Sequence, residues 1–139
     1  NKTRQPLCVI DLDTVMPGYA ANDFGDAIRF GASTAAEDET DLSKVHFDFE
    51  LYKAFAEGFI KGCGGGLTKE ELLSFPYGCI MMTFECGMRF LTDYLNGDTY
   101  FKIHREHHNL DRTRKQFKLI IDIESKMSDL EAIIKNLSM

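Results

Sequence analysis

The sequence predicts a mainly α-helical single unit with one short β element near its N-terminus. Three observations carry that prediction. Beyond a short apolar run at Leu7 to Ile10, the apolar residues recur at helical spacing nearly to the C-terminus. Pro17-Gly18, the glycine run Gly62 to Gly66 and Asn96-Gly97 cut the remainder into helix-length pieces. No internal repeat, low-complexity tract or Pro-rich linker marks off a second domain, so residues 1–139 read as one unit. With 44% hydrophobic residues and 11 Phe among 139 residues, the chain can fill a packed core.

The first element is a strand over Leu7 to Asp13 whose apolar run ends in Asp11 and Asp13. Strand side chains alternate between faces, so both acids point the same way. Like charges on one face repel unless a cation or a hydrogen-bond network separates them. A hard ion such as Mg²⁺, held by one or two carboxylates plus substrate phosphates, suits that arrangement. The same residues also suit a strand that stops and turns at Pro17-Gly18, its acids capping loop amides.

Asn22 or Asp23 caps a first helix running to about Ala32. The loop from Ala32 to Leu42 carries Glu37, Asp38, Glu39 and Asp41, which read as a solvated acidic surface. Ser43 caps the next helix, in which Phe47, Leu51, Phe55 and Phe59 recur every fourth residue as a core-facing stripe. The glycine run that ends it follows a helix and precedes no strand, so it makes a turn and a poor phosphate cradle. Thr68 and Glu71 form a capping box for a short helix, Lys69 to Leu73.

Pro76 then fits the first turn of a long helix reaching about Leu95. It is apolar nearly all round, the pattern of a central buried helix. Glu85 and Arg89 interrupt it at an i, i+4 spacing, in the favourable order for a pair. Tyr100 to His108 is a connector. His104, His107 and His108 cluster there without a Cys or further His at ligand spacing, so a zinc site is not expected. Asn109 caps a final long helix with Leu110, Phe117, Ile120, Ile121, Met127, Leu130, Ile134 and Leu137 on one apolar side. That side packs on the bundle or serves self-association.

Composition narrows the function classes. A net charge of −6 and a pI near 5.2 argue against nucleic acid as partner. No run of about eighteen apolar residues exists to span a membrane. Cys8, Cys63, Cys79 and Cys86 fall at irregular spacings, mostly within apolar segments, as expected for reduced thiols in a cytoplasmic protein.

Ile10-Asp11-Leu12-Asp13, a Pro-Gly turn and Asp23-Phe24-Gly25-Asp26 together resemble the aminoglycoside phosphotransferase and choline kinase superfamily. The similarity is greatest to the bacterial N-acetylhexosamine 1-kinases. It continues through Ile28-Arg29-Phe30-Gly31-Ala32-Ser33-Thr34-Ala35-Ala36-Glu37-Asp38 and Arg89-Phe90-Leu91-Thr92-Asp93-Tyr94-Leu95, so it covers most of the chain. The resemblance implies the distal part of a protein-kinase-like C-lobe, from an α+β parent. It makes Asp11 the magnesium-binding aspartate, with Asp13 in support. It makes Asp23 a buried brace of the catalytic loop. It puts Arg89 in the sugar pocket, oriented by Glu85 and lined by Phe30; the planar fork of Arg suits hydroxyls or an N-acetyl carbonyl. A core role remains the alternative for Phe30, and a structural ion pair for Glu85 and Arg89.

Several kinase parts are missing from this sequence. No phosphate-binding loop, N-lobe lysine or His-x-Asp-x-x-x-x-Asn loop is present. His46-Phe47-Asp48 comes nearest, but Lys53 stands where Asn is required. The expectation is therefore a C-terminal fragment, inactive alone, whose catalytic base lies upstream of Asn1. Asn1 to Pro6 reads as a hairpin turn lacking its first strand. The intact parent would use ATP and Mg²⁺ to phosphorylate the anomeric hydroxyl of GlcNAc or GalNAc. A sulfatase, a label sometimes attached to such kinases, is disfavoured because no Cys-x-Pro-x-Arg sequence occurs. The other alternative is a non-catalytic helical interaction module, dimerising through the last helix or the unpaired strand.

Overall fold

The computed structural model describes residues 8–138. Five α-helices form it: α1 (Ala20–Gly31), α2 (Phe49–Gly62), α3 (Lys69–Leu95), α4 (His108–Ser125) and α5 (Met127–Leu137). α3 is the axis, packing most extensively on α1 and α4 and also touching α5.

The α1–α3 crossing explains the sequence Asp23-Phe24-Gly25. A Cβ built on Gly25 would collide with the Gly78 backbone, and one on Gly78 with the Ala21 carbonyl. The two helices therefore touch backbone to backbone, which only glycine allows. Beside that contact Phe24 is wholly buried, stacked on Phe75 at 4.4 Å with Tyr52, Phe55 and Phe59 around it at 5.5–5.7 Å.

The expected strand does not form in the described part of Leu7 to Asp13, and Leu7 lies outside the described residues. Among the described residues Cys8 to Asp13 pair with no other strand, the Leu12 carbonyl accepts only locally from the Val15 N–H (3.2 Å), and Asp11 takes a left-handed φ of 63°. Asp11 and Asp13 therefore do not share a strand face. Among the described residues the extended pairing is one antiparallel bridge, Ser33 with Phe47.

α1 begins before the expected caps, at Ala20, without a side-chain cap. Asp23 stands in its first turn and is exposed, so it is not the buried brace expected. Ser43 caps no α-helix: Asp41 accepts from its N–H and closes a short 3₁₀ turn, Leu42–Lys44. α2 is capped instead by Asp48, whose Oδ1 accepts from the N–H groups of Glu50 (2.9 Å) and Leu51 (3.1 Å). Its buried residues are Tyr52 and Ala56, while Leu51 and Phe55 are exposed. The apolar stripe is thus met in part: Phe55 and Phe59 pack on Phe24 while Leu51 stays exposed, and Tyr52 and Ala56 supply the fully buried positions. Phe47 precedes the helix and enters the core independently.

The Thr68–Glu71 capping box is present, but it opens α3 itself. Pro76 sits inside this helix, buried, and does not start a new one. Nor is α3 sheathed: Met81, Phe84 and Met88 are exposed on its outer side. Asn109 does not cap α4. His107 does so from a left-handed φ of 59°, and Asn109 lies buried in the first turn. The expected final helix is two helices divided at Lys126. There Lys126 Nζ donates to Asp122 (2.6 Å) and to the Phe47 carbonyl (2.9 Å), while Asp122 accepts from the Phe47 N–H. Leu130 and Ile134 of α5 are fully buried, so its apolar face is spent inside the chain.

Candidate functional site

Two segments make the principal groove, a cavity of about 720 Å³. One wall is the outer face of α3, where Met81, Phe84, Glu85, Met88, Arg89 and Thr92 align at spacings of three and four. The other is the connector Thr99 to Phe101. That connector hangs on Asp93. The buried carboxylate accepts from the N–H groups of Thr99 (2.9 Å), Tyr100 (2.8 Å) and Phe101 (2.9 Å), and from Asn109 Nδ2 (2.9 Å). Burial alone would push the Asp93 pKa up, but these donors outweigh it and hold it below the ordinary value. Asn109 also donates to Asp98 (2.8 Å) and accepts from Arg112 (2.9 Å), tying α4 to the same turn.

Within the groove, Glu85 Oε1 lies 3.6 Å from Arg89 Nε, and both side chains are half-exposed, at 49% and 51%. The Arg89 guanidinium sits 5.4 Å from the centroid of Phe101, which in turn packs on Phe90 and Tyr100. The groove thus offers aromatic faces with an acid and a fork of donors at its rim. Apolar and hydrogen-bonding surface thus stand side by side in one groove.

The remaining expected site residues stand elsewhere. Phe30 is 73% exposed near the end of α1 and does not line the groove. Asp11 and Asp13 are exposed in the segment before α1. They supply two hard oxygen donors, and among the described residues no three His, Cys, Asp or Glu side chains converge into a metal cage. Asp11 and Asp13 thus stand as two exposed carboxylates with no further ligating side chain gathered beside them among the described residues.

The acidic loop is not merely a solvated surface. Asp38 accepts from Arg105 (2.8 Å) and pairs with buried His108 Nε2 (3.1 Å), and the Arg105 guanidinium holds its carboxyl below the ordinary value. His108 Nδ1 in turn accepts from the His104 N–H. Glu37 reaches toward Arg29 (3.4 Å) and Arg112 (3.8 Å). Behind them Lys115, 2% exposed, has its pKa pushed down to about 8, chiefly by burial and then by Arg29. These cations escaped the sequence reading. A signal was present, since Lys115 falls four residues before Leu119 and eight before Ile123, on the buried side of α4.

All four cysteines are free thiols; Cys79 and Cys86 are buried, Cys63 is intermediate and Cys8 exposed. Among the described residues no helix is long and apolar enough to cross a membrane. No known family model matches the chain.

Proposed function

We propose that this chain is the distal part of the C-lobe of an ATP-dependent sugar kinase, and that the α3 groove receives an N-acetylhexosamine, GlcNAc or GalNAc. The observation that supports this is the pairing of Arg89 with Glu85 beside Tyr100 and Phe101 in one groove. The aromatic faces would cover the C–H face of a sugar ring. Arg89 would donate to hydroxyls or the N-acetyl carbonyl from its planar fork, and Glu85 would hold Arg89 and accept from a hydroxyl. Asp11, supported by Asp13, would hold magnesium, which neutralises charge on the transferring phosphoryl group when bound. The exposed apolar side chains of Val9, Ile10 and Leu12 around these acids are those of a segment able to pair as a strand. The general base would come from outside this chain.

The test is calorimetric titration of the purified chain with GlcNAc and GalNAc, beside an assay for turnover with ATP and magnesium. The expected result is sugar binding that Arg89→Ala weakens about tenfold or more, the loss of a strong charged hydrogen bond, with no turnover. Binding unchanged by Arg89→Ala, or turnover by the chain alone, would contradict the assigned roles. A second reading, a helical interaction module, draws on the exposed Met81, Phe84 and Met88 of α3. It predicts concentration-dependent association in light scattering without sugar binding.

A further inference from the structure

Arg89 and Phe101 also wall a second cavity, of about 330 Å³. Its lining carries Arg29, Arg89, Lys102 and Arg112, with His104 beside them, against the single carboxylate of Glu37. Four cations facing one anion leave a net charge of +3 without counting His104. Two neighbouring acids, Asp26 at 2.9 Å from Arg29 and Glu85 at 3.6 Å from Arg89, pair with these cations from outside the lining and reduce the excess to +1. Glu37 is shared at 3.4 Å from Arg29 and 3.8 Å from Arg112, the second beyond hydrogen-bond length. Arg112 Nε is left buried with no acceptor, which is unfavourable for any donor and more so for a charged one. Lys115, buried next to Arg29, Glu37 and Cys86, adds a fifth cation with no ion-pair partner among the described residues.

We infer that this cavity binds a phosphate group, as the free anion or as a phosphomonoester. Three guanidinium groups can address separate oxygens of one tetrahedral anion by paired N–H donors, and a dianion balances the excess charge better than a carboxylate does. An occupant would supply the acceptor that Arg112 Nε lacks. The inference stands whether or not the adjoining groove holds a sugar.

The experiment titrates the full chain with inorganic phosphate, and in a second arm with a hexose 1-phosphate, by calorimetry near neutral pH in chloride of matched ionic strength. Saturable one-to-one binding is expected, weakened about tenfold or more by Arg29→Gln or Arg112→Gln, each removing a charge-assisted contact. Lys102→Gln, on an exposed side chain, should weaken it a few-fold and carries the test should Arg112, which also covers Phe90, be needed for folding. Independently, lysine side-chain NMR should show the Lys115 titration moving up toward its ordinary range on phosphate addition. Tighter binding of the ester marks a phosphomonoester as the ligand, and equal binding marks the free anion. No saturable binding, binding indifferent to every one of these substitutions, or stabilisation no greater than chloride gives would overturn the inference.

Discussion

Gly25→Ala is the substitution that tests the packing most severely. In a helix interior, glycine to alanine normally stabilises by about 0.5–1 kcal/mol through reduced chain entropy in the unfolded state. At Gly25 the new methyl would meet the Gly78 backbone, which has no rotamer to change. α1 and α3 would have to separate, opening the 4.4 Å stack of Phe24 on Phe75 at the centre of the aromatic core. Overpacking of this kind costs about 1–3 kcal/mol and more where backbone is the obstacle, so the net loss should be about 2 kcal/mol or greater. For a domain of this size that lowers Tm by roughly 8 °C or more. Circular dichroism at the helical minimum measures it directly. Gly58→Ala is the internal control, since Gly58 lies within α2 with nothing near its missing Cβ and should gain a fraction of a kcal/mol. Should Gly25→Ala raise Tm as the control does, α1 and α3 do not cross at Gly25 and Gly78, and the reasoning fails.

Further outcomes follow from the same structure. Asp48→Ala removes the one acceptor that serves two N–H groups at the start of α2 and should cost about 0.5–2 kcal/mol in denaturant unfolding, with Asp48→Asn recovering most of it. The Lys115 pKa is lowered in the folded state to about 8, so the unfolded chain binds more protons above that pH. In phosphate-free buffer, stability should accordingly rise from about pH 8 toward the ordinary lysine range, and Lys115→Met should abolish that rise. Asp38, Asp93 and Asp122 have lowered folded values, so their contribution is present above the ordinary carboxylate value of 3.8 and lost as pH falls through the lowered ones. Asp122→Asn should flatten part of the acid limb of unfolding. Thiol labelling should modify Cys8 fastest and Cys79 only on unfolding; rapid labelling of Cys79 would contradict its burial.

What the sequence made legible was local chemistry. The Thr68–Glu71 box forms, because its reciprocal bonds involve only residues within one turn. Glu85 and Arg89 meet at i, i+4 and face a groove, although the other wall of that groove depends on Asp93 gathering a connector that no periodicity signals. What failed was whatever depends on a distant partner. Leu7 to Asp13 has the composition of a strand but finds no strand to pair with among the described residues. Phe47 continues the α2 stripe by spacing, yet it precedes the Asp48 cap and its N–H bonds Asp122 across the fold. Pro76 suits the first turn of a helix by sequence alone; here the packing of Phe75, Gly78 and Cys79 carries α3 through it. Buried Lys115 and the partly buried Arg29 and Arg112 beside Glu37 are invisible to charge counting, which places cations at the surface by default.

Methyl NMR of the chain labelled at methionine reads the proposed sugar groove most directly. Met81 and Met88 line that groove, whereas Met16 and Met127 lie outside its lining. Addition of GlcNAc should shift the Met81 and Met88 signals in a saturable way, leave Met16 and Met127 in place, and lose its effect in Arg89→Ala. Unmoved Met81 and Met88 signals at saturating sugar, or changes confined to Met16 or Met127, would contradict the assignment of the α3 groove to an amino sugar.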